Sequence, residues 1–295
     1  MKLNWHTEIQ TFLHDTLEHL EENEALNNLM LGIALRVQND PSYYHEVELV
    51  TLSDERGLIL AALMTIPEKL VIYGMQGDDD TAIHMLVTGL LERNVRVPGV
   101  VGPKELAKKF AATWARRIGC KLDLDMHMRV YELREVNQEV IGEGQLRLAR
   151  ESDLQFLIEG IAEFQKDARL TSAPDLEKCA ESARRCLDNQ SVFLWEHQGR
   201  VVSMAAKSRP TRHGVTVNLV YTPRELRGRG YATSCVATLS QQLLDSGYEF
   251  CSLFTDLANP TSNSIYQNIG YRPLGDFDGY YFTEGSADGR RGDKS

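Results

Sequence analysis

The stretch Pro223–Cys235, PRELRGRGYATSC, joins two parts of the sequence with different hydrophobic patterns. The run before it, VTVNLVY, is apolar like a buried strand, and the run after it, ATSCVATLSQQLLDSG, has helical spacing. A helix N-terminus exposes unpaired backbone N–H groups and a partial positive charge, and glycines let an anion approach the backbone. Arg227 and Arg229 add positive charge. The stretch therefore predicts a pyrophosphate cradle, with a tight turn carrying solvated arginines as the alternative.

The sequence disfavours several classes of protein. GRGYAT is not GxGxxG and no Walker A lysine follows it, so dinucleotide-binding and P-loop folds lack their key residues. The net charge of −10 argues against nucleic-acid binding, and no apolar run approaches the roughly 20 residues of a membrane span. The histidines and the five cysteines show no metal-ligand spacing. We expect a cytoplasmic protein without metal, nucleic-acid partner or membrane partner, and the oligomeric state stays open.

The order of predicted elements repeats along the chain. Each half contains two helices, a hairpin, a strand, a helix, a strand, a helix that ends in glycine, and a closing strand. Ser152 or Asp153 should cap one of these helices, and the last strand should be YYF at 280–282. We predict an internal duplication of one α/β fold, an α+β arrangement on a mixed sheet. The predicted domains are 1–137 and 138–284, joined by a polar linker at 134–145, with a disordered charged tail at 285–295.

Two motifs resemble those of a known superfamily. RGRGYA, at 227–232, resembles the R/Q-x-x-G-x-G/A signature of the GNAT superfamily of acetyl-CoA-dependent acyltransferases through Arg227, Gly230 and Ala232. NPTSNSIYQNIGYRP, at 259–273, resembles the superfamily's other motif, N-x-x-[AS]-x-x-[LI]-Y-x-x-x-G-[FY]. The residues that match this motif are Asn259, Ser262, Ile265, Tyr266, Gly270 and Tyr271. The chain thus resembles tandem GNAT proteins, with two GNAT-like acyl-CoA N-acyltransferase folds of which the first is degenerate.

The resemblance implies that 138–284 is a catalytic domain with acetyl-CoA as its co-substrate. The enzyme would be an N-acetyltransferase that moves acetyl to a primary amine of a small molecule, peptide or protein, by direct attack in a ternary complex. Tyr266 would donate a proton to the departing thiolate, which suits a phenol with an unperturbed pKa of about 10. The cofactor-binding residues that the resemblance implies are Leu219, Val220, Tyr221, Arg227, Gly228, Arg229, Gly230, Tyr231, Ala232, Thr233, Asn259, Ser262, Asn263 and Tyr266.

The general base is left open by the sequence. Many relatives carry a glutamate on the strand before the glycine-rich turn, but VTVNLVYT has no carboxylate. The candidates are Glu159, Glu163, Asp256 or water, and Asn218 is a candidate for orienting substrate or water. The missing strand carboxylate keeps a non-catalytic module that binds or senses acyl-CoA as the alternative function. A transferase for a longer acyl group is a third, weaker interpretation.

The first half lacks the glycine-rich turn. At the equivalent point it has MQGDDDTAIHM, where Asp78, Asp79 and Asp80 would cap a helix but repel a pyrophosphate. We therefore expect this half to bind no CoA and to shape the acceptor site of the second half.

Overall fold

The computed structural model of the chain describes residues 1–74, 80–168 and 171–283. These residues form a mixed α/β fold, as the sequence predicts. The helices are α1 Ile9–Glu21, α2 Asn28–Asn39, α3 Asp80–Glu92, α4 Lys104–Ile118, α5 Leu154–Asp167, α6 Leu176–Asp188, α7 Tyr231–Asp245 and α8 Pro260–Ile269. The strands are β1 Lys2–His6, β2 Val47–Asp54, β3 Gly57–Thr65, β4 Leu70–Gly74, β5 Gly99–Pro103, β6 Lys121–Leu133, β7 Gln145–Leu148, β8 Val192–His197, β9 Arg200–Ser208, β10 Gly214–Tyr221, β11 Phe250–Asp256 and β12 Arg272–Thr283.

The chain packs as two compact units. The first unit contains Met1–Asn23, Leu29–Met128 and the residues from Asp276 on, and the second contains Glu24–Asn28 and Arg129–Gly275. The packing therefore changes from one unit to the other inside β6 and inside β12. The domain boundaries at 137 and 284 stay a prediction, and the tail at 285–295 lies outside the described residues.

The first unit has the strand order β1-β2-β3-β4-β5-β12. Only β4 and β5 run parallel, and the other neighbours are antiparallel. One hydrophobic core covers the sheet under α1 and α2, and another covers it under α3 and α4. Two strands differ from the sequence prediction. The strand β1 was not predicted at all, and β12 begins at Arg272 instead of at Tyr280.

The second unit has the strand order β6-β11-β10-β9-β8-β7, with β10 and β11 parallel. The pairs β7–β8, β8–β9 and β9–β10 are antiparallel. Its cores lie under α5 and α6 on one face and under α7 and α8 on the other. The predicted hairpin between β8 and β9 turns at Gln198 and Gly199, whose φ angles are 51° and 73°. The unit is a three-layer arrangement in which the two central parallel strands meet the helices of both faces.

A strand from the other half of the sequence completes each sheet. In the first unit β12 lies against β5, with Phe277 opposite Pro103 and Tyr281 opposite Gly99. In the second unit the end of β6 lies beside β11. Its side chains Val130, Tyr131 and Leu133 are at most 1% exposed. From the sequence, β6 is assigned to the first half and the closing strand to the second half, because pairing between residues distant in sequence leaves no local signal.

The predicted linker is anchored to the second unit. The amide of Asn137 donates to the carbonyl of Ile269 at 2.8 Å, and the amide of Gly142 donates to Ser234 Oγ at 3.0 Å. Gly144, at φ 142°, lies so close to Trp195 that a Cβ would sit 2.6 Å from the indole. The segment between β6 and β7 is therefore packed structure despite its polar, glycine-containing sequence.

An ion-pair network joins β7, β8 and the start of α5. The Arg147 guanidinium donates to Asp153 Oδ2 at 2.7 Å, to Asp153 Oδ1 at 3.0 Å and to Glu196 Oε2 at 2.7 Å. Asp153 also accepts the amide of Arg150 at 2.8 Å. Asp153 stands at the N-cap position of α5, but its side chain does not cap that helix. The predicted cap thus serves as the anchor for Arg147, whose hydrogen bond holds the pKa of Asp153 below its usual value.

We expect Asp153→Asn to lower the free energy of unfolding by about 2 kcal/mol, because the substitution leaves Arg147 without its bidentate partner. A carboxylate with a depressed folded-state pKa contributes stability above its unfolded pKa of about 3.9 and loses that contribution as pH falls through the folded pKa. In urea unfolding measured from pH 7 down to pH 2, the free energy of unfolding should therefore fall more steeply in the wild type than in the variant. Equal slopes would contradict the assignment.

Candidate active site

The central parallel strands of the second unit separate towards their carboxyl ends. β10 pairs with β11 only from Gly214 to Thr216, opposite Phe250 to Ser252. Both strands continue for several residues beyond the last pair, to Tyr221 and Asp256. The unpaired stretch between the two strands, called the cleft below, lies at the carboxyl end of the sheet, where ligands bind in open α/β sheets.

A bulge marks β10 within this cleft. The ladder with β9 pairs Asn218 with Ala206 and then Tyr221 with Met204, so the register shifts between them. Leu219 has φ 51°, a left-handed conformation uncommon for a leucine. Bulges of this kind redirect backbone groups next to functional sites. The three predicted residues Leu219, Val220 and Tyr221 therefore form the irregular end of the strand that borders the cleft.

The glycine loop, residues 227–230, follows a single 3-10 turn at 224–226 and leads into α7. Gly228 and Gly230 have φ angles of 76° and 79°, and Gly230 is the N-cap residue of α7. A Cβ on either glycine would meet no atom within 4 Å, so the space in front of the loop is open. Within the described part of the chain, the backbone amides of residues 228–233 have no hydrogen-bond acceptor. These six amides form a ready anion-binding concavity at a helix N-terminus.

The two arginines of the glycine loop differ in their surroundings. Arg227 Nε donates to the carbonyl of Thr222 at 2.9 Å, and its guanidinium forms an ion pair with Asp167 of α5. Arg227 therefore fixes the loop to β10 and α5, and its charge is neutralised. Arg229 is exposed and has no ion-pair partner among the described residues. Of these two residues, Arg229 carries the positive charge that an anion would meet.

The asparagines of the second motif organise the start of α8. Asn259 is its N-cap residue and accepts the amide of Ser262 at 3.0 Å. Asn263 Nδ2 donates to the carbonyls of Asp256 and Asn259 at 2.9 and 2.7 Å. Asn263 Oδ1 accepts from the hydroxyl of Tyr131 at 3.0 Å. The side-chain groups of Asn263 are thus already engaged within the unit. A role in holding a cofactor stays a prediction for Asn259, Ser262 and Asn263.

Tyr266 lies on α8 with its ring in the core of the second unit. The residue is 8% exposed, and its ring meets the ring of Tyr271 edge to face at 5.9 Å between centroids. Burial raises the pKa of Tyr266 to about 12. Its hydroxyl makes no hydrogen bond within the described residues, yet it is not among the fully buried atoms that lack a partner. Tyr266 thus presents a neutral phenol with an unused donor.

A cavity of about 530 Å³ lies along α5 on the face of the sheet opposite α7. Its wall includes Tyr221, the last residue of β10, and two of the candidate bases, Glu159 and Glu163. The third candidate, Asp256, does not line it and accepts the amide of Ala258 at 2.8 Å. Gly160 forms part of the floor, where a Cβ would lie 2.8 Å from the Met204 side chain. The cavity thus adjoins the same strand end that borders the cleft.

Residues 154–271 match the model of the Acetyltransferase (GNAT) family. Over this segment the chain resembles GNAT acetyltransferases. The match runs from the first residue of α5 to the second residue after α8, so it contains the glycine loop, the cleft and the helix of Tyr266. Enzymes of this family transfer acyl groups from acetyl-CoA to amines, and the match supports an acetyltransferase.

Solved structures resemble nearly the whole chain. A GNAT-family acetyltransferase from Colwellia psychrerythraea is 11% identical, with a TM-score of 0.57 over 96% of this chain and 100% of that one. A protein from Drosophila is 10% identical, with a TM-score of 0.61 over 95% and 98%. A GCN5-related N-acetyltransferase from Sphaerobacter thermophilus is 14% identical, with a TM-score of 0.57 over 86% and 87%. At these identities the likeness shows the fold alone. No curated protein sequence matches the chain significantly.

The matched segment also contacts one residue outside it that sequence reasoning missed. Tyr131 of β6 is 0% exposed, donates to Asn263 Oδ1 and accepts from Gln267 Nε2 at 3.3 Å. These contacts hold two positions of α8 on either side of Tyr266. The residue lies outside both motifs and before the matched segment, so only its apolar neighbours in MRVYEL indicated a buried position.

The structure also bears on Asn218 and on the acidic residues before α3. Asn218 Oδ1 is buried without a hydrogen-bond partner among the described residues, as a group that awaits a ligand would be. In the first half, Asp80 begins α3 and pairs with Lys109 Nζ at 3.1 Å, whereas Asp78 and Asp79 lie outside the described residues. The absence of CoA binding by the first half therefore stays a prediction.

Across residues 1–74, 80–168 and 171–283, no three or more His, Cys, Asp or Glu side chains are grouped to hold a metal ion. No helix within these residues is both long enough and apolar enough to cross a bilayer.

Proposed function

We propose that the second unit binds one acetyl-CoA and transfers its acetyl group to a primary amine by direct attack in a ternary complex. The observation that carries this proposal is the cleft between β10 and β11, together with the six amides of the glycine loop and the first turn of α7 that have no acceptor among the described residues. The cleft offers strand backbone to an extended arm, and the amides offer donors to a pyrophosphate. The GNAT match over the same residues supports this use of the cleft.

The glycine loop would hold the pyrophosphate through backbone donors, with help from Arg229. Charge-assisted hydrogen bonds from backbone amides to phosphate are about twice as strong as neutral ones. Gly228 and Gly230 keep the approach open because they carry no side chain. Arg227 would act indirectly, by tying the loop to Asp167 and to the Thr222 carbonyl.

The pantetheine arm would lie along the end of β10. Pairing between β10 and β11 stops at Thr216, so the edge of residues 217–221 that faces β11 has no strand partner. The bulge at Leu219 redirects an amide in this edge, and an amide there would polarise the thioester carbonyl. The Tyr221 carbonyl already accepts from Ser203 Oγ at 3.0 Å, which fixes the far end of the segment.

In the chemical step the amine nitrogen attacks the thioester carbon and the C–S bond breaks. The amine loses one proton to a base, and the thiolate carries the electron pair away. At a pKa of about 12 the Tyr266 phenol is a weaker acid than a thiol, whose ordinary pKa is about 8.5. Full proton transfer to the thiolate would thus be uphill. We infer that Tyr266 lowers the barrier by donating a hydrogen bond to the departing sulfur.

Tyr266→Phe should therefore lower kcat by about 100-fold, the loss typical of one hydrogen-bond donor to developing charge. The ring stays in place, so the Kd for acetyl-CoA should not change. Because the phenol stays neutral below its pKa of about 12, Tyr266 should contribute no loss of kcat up to pH 10. Thiol release in steady state measures kcat, and calorimetry measures Kd. An unchanged kcat in an active assay would show that Tyr266 only packs.

The competing function is a module that binds acyl-CoA without turning it over. The absence of a carboxylate on β10 is the feature that favours it. Saturable acetyl-CoA binding without thiol release from any amine in a broad panel would support it over the transferase. Saturation at two equivalents per chain would show that the first half binds the cofactor as well.

A further inference from the structure

We propose that the cavity along α5 is the acceptor site and that it takes a small organic cation, a primary ammonium on an apolar body without a carboxylate. The inference rests on the proposed acetyl transfer and names its substrate class. It is carried by the cavity's charges, its apolar wall and its place beside β10.

The charges on the cavity wall leave one carboxylate without a cation. Glu163 accepts from Lys166 Nζ at 2.6 Å, and Arg224 lies 3.6 Å away. Glu225 faces Arg200 at 3.7 Å. The basic side chains of the wall thus already have acidic partners.

Glu159 is different. Within the described residues its hydrogen-bond partner is the neutral amide of Gln155, at 2.7 Å, and no basic group forms an ion pair with it. A carboxylate on a cavity wall that lacks a cation favours a positively charged ligand and disfavours an anionic one. We assign Glu159 as the group that receives the ammonium.

The rest of the wall is apolar. Phe156, Val201, Tyr221 and Leu176 line the cavity together with Gly160. Leu176, the first residue of α6, is 63% exposed, which makes it one of the few large exposed apolar side chains among the described residues. These side chains offer apolar surface beside the charged groups of the wall, and burying an apolar body here would add to binding. The volume of about 530 Å³ suits a small molecule.

The cavity also lies next to the end of β10, where acetyl transfer would take place. Tyr221 lines the cavity and ends β10, the strand proposed to hold the thioester arm. Burial raises the pKa of Tyr221, and the nearby Glu163 adds to this shift, so its ring is a neutral part of the wall. The ammonium bound at Glu159 would release one proton to water, and the free amine nitrogen would then attack the thioester carbon beside the end of β10. Attack requires a separation of about 3 to 3.5 Å between the reacting atoms.

The first arm of the test compares matched amines with the full chain and acetyl-CoA. We would measure kcat/KM for 2-phenylethylamine and 3-methylbutylamine, and for phenylalanine and leucine, which add a carboxylate to the same skeletons. Ethylamine keeps the ammonium without the apolar body. We expect each apolar amine to exceed its amino acid and ethylamine by at least about tenfold, since a tenfold ratio needs only about 1.4 kcal/mol. Equal or reversed ratios would overturn the inference.

The second arm uses Glu159→Gln, a substitution at an exposed position that keeps the side-chain size. We expect KM for the apolar amines to rise about tenfold, with kcat and the Kd for acetyl-CoA unchanged. The control is Glu181→Gln on α6, which removes the same charge at an exposed position outside the cavity wall and should change nothing. A fall in kcat at constant KM would make Glu159 a base and would overturn its role as anchor.

The two proposals fail in different ways. If acetyl-CoA does not bind, or binds without acetylating any amine, the proposed transferase function is wrong. If acetyl-CoA binds and the preferred acceptors are amino acids or protein amines, the transferase stands and the acceptor inference alone is wrong.

Discussion

Gly230→Glu should raise the Kd for acetyl-CoA by at least about 100-fold, or about 2.7 kcal/mol. Gly230 has φ 79° at the start of α7, where a non-glycine residue costs roughly 1 to 2 kcal/mol. A Cβ would meet no atom within 4 Å, so the new carboxylate would extend into the space proposed for the pyrophosphate. Two like charges about 4 Å apart repel by about 4 kcal/mol at an effective dielectric constant of 20. Calorimetry with acetyl-CoA measures the change.

Gly199→Glu is the matched control. Gly199 has φ 73° in the turn between β8 and β9, and a Cβ there also meets no atom within 4 Å. The two variants thus share the backbone strain and the added charge, and both should lose about 1 kcal/mol of stability. Only the position relative to the glycine loop differs. If both variants bind acetyl-CoA like the wild type, the loop is only a turn, and if both lose binding equally, the effect comes from strain.

Tyr131→Ala should destabilise the second unit by about 4 kcal/mol, the range for removing a large aromatic side chain from a core. Tyr131 is 0% exposed and belongs to the core under α7 and α8. Its loss would also leave Asn263 Oδ1 without the Tyr131 donor. The midpoint of urea unfolding measures the effect, provided that the slope with denaturant is unchanged.

Tyr131→Phe separates the packing of this residue from its hydrogen bonds. We expect the free energy of unfolding to fall by only about 1 to 2 kcal/mol, because the two neutral hydrogen bonds of the hydroxyl, to Asn263 and from Gln267, are removed and the ring remains. The loss should be local, so amide hydrogen exchange in α8 should accelerate more than exchange in α5. If the Phe variant is as unstable as the Ala variant, the hydroxyl and not the ring dominates. If neither variant differs from the wild type, β6 does not hold α8.

The sequence predicted well what is encoded locally. The strand, glycine loop and helix around RGRGYA were found because glycines, a helix N-terminus and hydrophobic periodicity lie within about 30 residues. The mixed α/β fold class and the resemblance to GNAT acetyltransferases follow from the same segment and its second motif, and both are confirmed. The tandem arrangement with a degenerate first half stays a prediction. The residue roles in the site stay predictions.

The features that were missed depend on contacts between distant segments. The end of β6 pairs in the second unit and the end of β12 pairs in the first. Neither pairing can be read from the strand itself, since both have ordinary strand patterns. The ion pair of Arg227 with Asp167 joins residues 60 positions apart, and the sequence suggested only a free arginine. The cavity gathers residues from α5, α6, β9 and β10, none of which belongs to a motif.

The position of β12 has a consequence for how the protein is made. The sheet of the first unit needs residues from Asp276 on, and these are synthesised after nearly all of the second unit. A ribosome adds roughly 5 to 20 residues per second, so the N-terminal unit waits on the order of ten seconds for its last strand. Until then the edge of β5 has no strand partner, so chaperones can bind it and other strands can pair with it incorrectly. The first part of this chain to be translated is therefore not the first part that can finish folding.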